Sequence, residues 1–165
     1  MLRVGIGYDV HRFALEQKNR KLILGGVEIR FGMGLEGHSD ADVLFHAVMD
    51  ALLGAATLGD IGIHFPSSDE RYKNIDSGLL LEKVIAMLGT CGWEVANIDT
   101  VIVADRPKLA EYIQPMRENI ARICKVSTDC VSIKATTEEG LGLAGQGIGS
   151  HCVCTIIKSQ SVAFL

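Results

Sequence analysis

The stretch GHSDADVLFH, residues 37–46, decides how this chain is read. A glycine, a hydroxyl and two acids give way to apolar residues at helical spacing: Val43, Leu44, Ala47, Val48, Ala51, Leu52, Ala55 and Ala56. The pattern predicts a helix from about Asp40 to Leu58, opened by Ser39 and Asp42 as a capping box and ended by Gly59. His46 lies one turn inside it, with Asp42 and Asp50 four residues to either side on the same stripe. A helix start offers free N–H groups and the positive end of a dipole, which suits a phosphate. The stretch therefore predicts a histidine metal ligand beside an anion seat. Two roles stand open for Asp42 and Asp50: acceptors for the second ring nitrogen of His46, or a solvated helix face.

Upstream, residues 2–11 read as a strand whose alternation puts Asp9 and His11 on one face and Val10 on the other. Asp9, His11 and His46 together offer one oxygen and two nitrogens with a fourth position open, the donor set of a catalytic zinc site. The spacing alone also fits a hydrogen-bonded helix histidine beside an ordinary strand end. His38 and Ser39 precede the helix, where they can hold a phosphate or merely cap.

Lys18 to Lys21 form a polar loop, and residues 22–29, LILGGVEI, a strand broken by a Gly-Gly bend. Residues 59–76 are a long polar loop without period. Ser77 opens a second helix to Leu88, stopped by Gly89 and Gly92. Strands at 97–105, 131–135 and 150–158 and a helix from Tyr112 to Cys124 complete the reading. There is no strict βαβ alternation, repeat or linker. The expected fold is one α+β domain over residues 1–165, a four- to five-stranded mixed sheet packed against three helices on one face.

KATTEEGLG (134–142) places Thr136, Thr137 and Glu139 where they can meet phosphate oxygens and a hard divalent cation, or form a solvated turn. GLAGQGIG superficially resembles a dinucleotide loop but leads into a strand, so it fails that motif's context. ADRPKLAEY (104–112) reads as a nucleotide-contacting turn with Lys108 as phosphate partner, or as a solvated loop. His64 is expected outside the ligand set, and His151 to be structural. The net charge of −4 argues against a nucleic-acid partner. No apolar run is long enough for a membrane span, and the first residues lack a signal-peptide layout, so a cytoplasmic protein is expected. Five cysteines without CxxC spacing are expected to be free buried thiols.

YDVH (8–11), HSDADVLFHAVMDALLGA (38–55), GDIGIHFP (59–66), DTVIVADRPKL (99–109) and IKATTEEGLG (133–142) closely resemble the 2-C-methyl-D-erythritol 2,4-cyclodiphosphate synthase family, in order over essentially the whole chain. The resemblance implies a homotrimer with sheets toward the axis and active sites at subunit interfaces. It implies cyclisation of 4-diphosphocytidyl-2-C-methyl-D-erythritol 2-phosphate: the 2-phosphate attacks the β-phosphorus and CMP leaves. Asp9, His11 and His46 would bind one Zn²⁺ per subunit, and Glu139 a second divalent ion, Mg²⁺ or Mn²⁺. His38 and Thr137 match the catalytic positions. Ser39, Asp60, Gly62 and Asp69 match contacts to the methylerythritol phosphate. Ala104, Pro107, Lys108 and Leu109 match the cytidine turn, and Thr136 a diphosphate contact. The chain departs from the family pattern at Ser67, where an aspartate is usual, and at Leu143 and Gln146, where an aromatic and an arginine are. Two other classes share the metal and phosphate residues: a zinc phosphohydrolase in which water attacks, and a non-catalytic trimer with structural zinc. The absence of an obvious fourth protein ligand speaks against the second.

Overall fold

The computed structural model describes residues 1–17 and 19–159. Lys18, in the expected polar loop, and residues 160–165 of the expected domain lie outside the described residues. In chain order the elements are β1 (Leu2–Arg12), β2 (Leu22–Leu24), β3 (Val27–Ile29), α1 (Val43–Ala56), α2 (Ile61–His64) and α3 (Ser77–Thr90). Then follow β4 (Trp93–Val103), α4 (Ile113–Cys124), β5 (Val131–Thr136) and β6 (Gly147–Lys158). The main sheet has the order β1-β6-β4-β5, parallel between β4 and β5 and antiparallel elsewhere. The expected α+β class holds.

Helix α1 is the centre of the molecule. Twelve of its fourteen residues are buried, so it is apolar nearly all round rather than on one stripe. It lies on the inner face of β1 at backbone contact distance. A Cβ on Gly5 would stand 1.9 Å from the Ala51 carbonyl oxygen, and one on Gly7 2.0 Å from that of Ala47. These two glycines let helix and strand approach closely, bringing His46 toward Asp9 and His11.

The helix begins later than its sequence pattern suggests. Ala41 has φ +61, which excludes a helix from Asp40. Asp42 is the N-cap, accepting N–H groups from Leu44 and Phe45 at 3.2 and 3.1 Å. The same carboxylate accepts from Gly25 and Gly26 at 2.9 and 2.7 Å. Ser39 instead accepts from Ala41 in a local turn. The tertiary demand of four donors on Asp42 overrides the capping box. At the other end Thr57, at φ +59, closes the helix two residues before Gly59.

Three more expectations shift for similar reasons. LILGGVEI is a hairpin, because Gly25 and Gly26 at φ +56 and +70 make a two-residue turn. Among the described residues there are thus six strands in two sheets. Asp76, not Ser77, caps α3, which continues through Gly89 to Thr90. The polar loop 59–76 holds α2 and a 3-10 turn at Glu70–Tyr72. Strands β4 and β6 each start earlier than expected.

The outer face of β1 and β6 is exposed and apolar: Leu2, Val4, Ile6, Tyr8 and Val10 stand beside Val153 and Ile157. His151 belongs to this exposed face, stacked on Tyr8 at 4.6 Å, rather than to the interior. Cys124, Cys152 and Cys154 are buried free thiols, but Cys91 is exposed. Burial pushes Cys124 up to about 12 and Cys154 up to about 11, which suppresses thiolate chemistry. Among the described residues no helix is long and apolar enough to cross a membrane.

Candidate active site

Asp9 and His11 point from the inner face of β1 to His46 on α1. Asp9 Oδ2 lies 2.8 Å from His46 Nδ1 and 2.9 Å from His11 Nε2, and the two nitrogens are 3.3 Å apart. Burial raises the Asp9 carboxyl, but the hydrogen bonds and charges of both imidazoles outweigh it and hold the group far below the usual carboxylate range. For His11 burial is the largest single effect and lowers the imidazole, but the hydrogen bond and charge of Asp9, with a backbone bond at Glu36, together outweigh it and raise the group. The three ligand atoms lie within 4.8 Å of one another. A carboxylate oxygen and two ring nitrogens this close need protons or a metal cation between them. Among the described residues the group has no fourth ligating side chain, so one coordination position stays open. The donor set therefore fits a metal.

Neither Asp42 nor Asp50 serves His46. Asp42 is committed to four backbone N–H groups, and burial, helped by the charge of Asp40, pushes its carboxyl up to about 6. Asp50 accepts from Ile61 at 2.8 Å and so anchors the start of α2. The second ring nitrogen of His46 instead faces Ser77 Oγ at 3.0 Å and Ser39 Oγ at 3.2 Å. Ser77 comes from a helix start 31 residues away, and sequence reading took it only as a cap. The anion seat expected at the α1 N-terminus is filled by the protein's own Asp42.

A cavity of about 260 Å³ opens beside this cluster. Its polar lining includes Asp9, His11, His38, Ser39 and His46; Met49, Ile61, Phe65 and Leu80 form an apolar wall. Gly62 and Ser67 also line it. His38 Nε2 donates to the Asp69 carbonyl at 3.1 Å. The Asp69 carboxylate is turned to Arg71, whose hydrogen bonds hold it down at about 2. Asp60 caps α2 through the Ile63 N–H at 3.0 Å. Asp60 and Asp69 thus support the cavity's loop without lining it. His64 donates to the Leu58 carbonyl at 2.8 Å, outside the ligand group as expected.

The remaining sequence-predicted residues form a second cluster. Ala104 N–H donates to the Thr136 carbonyl at 2.9 Å, and Glu138 N–H to Asp105 at 3.3 Å. The Thr137 hydroxyl donates to Glu139. Lys108 is exposed, Pro107 half-buried and Leu109 buried. None of these residues lines the cavity. Asp9, Ser150, Ile102 and Ala135 stand level across the sheet, three strand spacings from first to last. Within one chain the two clusters are therefore about 14 Å apart.

Residues 2–158 match the YgbB family. A protein of Syntrophomonas wolfei named 2-C-methyl-D-erythritol 2,4-cyclodiphosphate synthase is 58% identical over 157 residues, 94% of this chain and 98% of that protein. The bifunctional IspDF of Campylobacter jejuni superposes with a TM-score of 0.90 at 40% identity, over 96% of this chain and 42% of that longer one. A 2C-methyl-D-erythritol-2,4-cyclodiphosphate synthase in a form bound to CDP superposes with a TM-score of 0.85 at 31% identity, covering 94% of this chain and 100% of that chain.

Proposed function

The chain belongs to the YgbB family, and from that premise we propose that it is a cyclising, CMP-forming phosphorus–oxygen lyase of non-mevalonate isoprenoid synthesis. It converts 4-diphosphocytidyl-2-C-methyl-D-erythritol 2-phosphate to the 2,4-cyclodiphosphate. The observation that carries this reading is the convergence of Asp9, His11 and His46 at a cavity also lined by His38 and Ser39.

The nucleophile is the substrate's own 2-phosphate, so no side chain has to be activated as one. Catalysis reduces to holding two phosphates in line and neutralising charge. Asp9, His11 and His46 would hold zinc, as an open set of two imidazoles and a carboxylate suits that ion. Glu139, an exposed carboxylate, would hold Mg²⁺ or Mn²⁺ with substrate phosphates and water completing the shell. When bound, the two cations supply Lewis-acid polarisation and charge neutralisation to the diphosphate. Ser39 and Gly62 orient the methylerythritol phosphate, with Asp60 and Asp69 fixing the loop around it. His38 and Thr137 stabilise the reacting phosphoryl group, which requires them to exchange their present bonds to the Asp69 carbonyl and Glu139 for the substrate, and Thr136 contacts the diphosphate. Ala104, Pro107, Lys108 and Leu109 receive the cytidine end.

Two observations support a homotrimer. The outer face of β1 and β6 is a continuous exposed apolar surface, of the kind that pairs with another copy. The 14 Å between the clusters is bridged when the cytidine cluster of one subunit meets the metal cluster of its neighbour. The enzyme works in the cytoplasm, without nucleic acid or membrane.

The test is product analysis with purified protein, Zn²⁺ and Mg²⁺. CMP and the cyclic diphosphate in equal amounts are expected. A linear phosphate product would replace cyclisation by hydrolysis, and no CMP release would overturn the enzyme assignment. Sedimentation tests the trimer.

A further inference from the structure

The side of His46 that faces away from the cavity carries chemistry that the proposed reaction does not use. Its Nε2 meets a fixed chain of oxygens. Ser77 is fully buried at the first turn of α3, and its Oγ lies 2.6 Å from Asp40 Oδ1. Asp40 Oδ2 accepts the Ser77 N–H at 3.0 Å, and Oδ1 also accepts the Asp42 N–H at 3.2 Å. All three hydrogen bonds to the Asp40 carboxylate therefore come from donors. Two oxygens 2.6 Å apart need a hydrogen between them, and it is the Ser77 hydroxyl hydrogen. A serine has only one. Ser77 can then present to His46 only a lone pair, at 3.0 Å from Nε2. Ser39 Oγ already accepts the Ala41 N–H and faces the same nitrogen at 3.2 Å.

We propose that Asp40 and Ser77 are positioning residues that set the tautomer of His46: Asp40 takes the Ser77 hydrogen, so Nε2 of His46 must carry the ring hydrogen. Nδ1 is then left as a bare lone pair aimed at Asp9 and His11. A neutral imidazole has one donor and one acceptor nitrogen, and a metal can use only the acceptor. Metal-binding histidines commonly donate their other nitrogen to a carboxylate or carbonyl. Here the carboxylate acts through an intervening serine, which keeps its charge one bond further from the cation. A second consequence concerns Ser39. With Oγ accepting from Ala41 and His46, its hydroxyl hydrogen has two acceptors to choose between, Ser77 Oγ at 3.4 Å and an anionic substrate oxygen in the cavity it lines.

The inference rests on the reading of Asp9, His11 and His46 as a zinc site, and its test separates the two. Protein labelled with ¹⁵N-histidine is loaded with zinc, and the His46 signals are identified as those lost in His46→Gln. The expected spectrum shows Nε2 bonded to hydrogen and Nδ1 on the metal. In parallel, zinc affinity of the folded Ser77→Ala protein is measured by competition with a chromophoric chelator. The dissociation constant should rise about 10- to 100-fold over the unaltered protein. Hydrogen on Nδ1, or a Ser77→Ala dissociation constant within twofold of the original, overturns the role of Asp40 and Ser77 while leaving the zinc site standing. Failure of the unaltered protein to take up zinc overturns both. If Ser77→Ala does not fold, the spectrum of the unaltered protein decides alone.

Discussion

The two clusters of candidate site residues are built in opposite ways. Asp9, His11 and His46 sit on β1 and α1, two elements whose backbones touch, and their outer atoms are braced by Ser39, Ser77 and the Val10 N–H. Thr136, Thr137 and Glu139 sit at and beyond the end of β5, exposed; the Thr137 hydroxyl donates to Glu139 and the Thr136 hydroxyl to the Thr137 carbonyl. The first cluster is pre-organised within the single chain, so its geometry needs no ligand. The second is exposed and bonded mainly within its own loop, so under the proposed function its definition would come from a bound ligand. Damage to the first should therefore be large and not recovered by more ligand. Damage to the second should be smaller and compensable by more ligand.

The sharpest way to break that contrast is His46→Ala. It should lose zinc and at least about 1,000-fold in turnover, several kcal/mol of transition-state stabilisation, while remaining folded and associated. Metal analysis with sedimentation checks this, and an active zinc-free variant would sink it. Next comes the scaffold: Gly7→Ala drives a methyl into the Ala47 carbonyl and should cost about 3 kcal/mol or more in denaturant unfolding. A cost under 1 kcal/mol would mean that the strand and helix have slack.

The third prediction concerns Asp42 and pH. Its carboxyl is pushed up to about 6 from 3.8, so the folded state holds a proton that the unfolded state has already released. Its contribution favours the fold below about pH 4 and is lost as pH rises through 6. The stability difference between the unaltered protein and Asp42→Asn should shift against the unaltered protein by about 2 kcal/mol from pH 4 to 7. A difference flat in pH would show that the four N–H donors outweigh burial. On the second cluster, Glu139→Gln should cost about tenfold in turnover at limiting Mg²⁺, largely recovered at high Mg²⁺ with zinc content unchanged. Lys108→Ala should be mildest, a few-fold in KM through one exposed charge.

Much of this was legible because the chemistry is local in sequence. Asp9 and His11 share a strand face by alternation, and the apolar run after Asp42 could only be a helix. The site's support was not legible, because it comes from partners chosen by folding. Asp42 reads as a helix-face residue until the turn at Gly25 and Gly26 arrives to claim it. Ser77 reads as a cap until Asp40 takes its hydrogen. The capping box at Ser39 was a sound local signal that lost to a tertiary one. The distance between the two clusters followed from strand order, which no spacing in the sequence reveals.

The sheet register carries one more consequence, and it concerns time. Among the described residues β1 is an edge strand that pairs in the main sheet with β6 alone, from Leu2 with Ile157 to Arg12 with Gly147. The strand bearing Asp9 and His11 is thus synthesised well before its partner, which follows it after four helices and four strands. At about 5–20 residues per second, it waits roughly 10 s before it can be zipped into place. Asp9, His11 and His46 are all made before β6, so β1 takes its place in the sheet only after the whole candidate metal group has been synthesised.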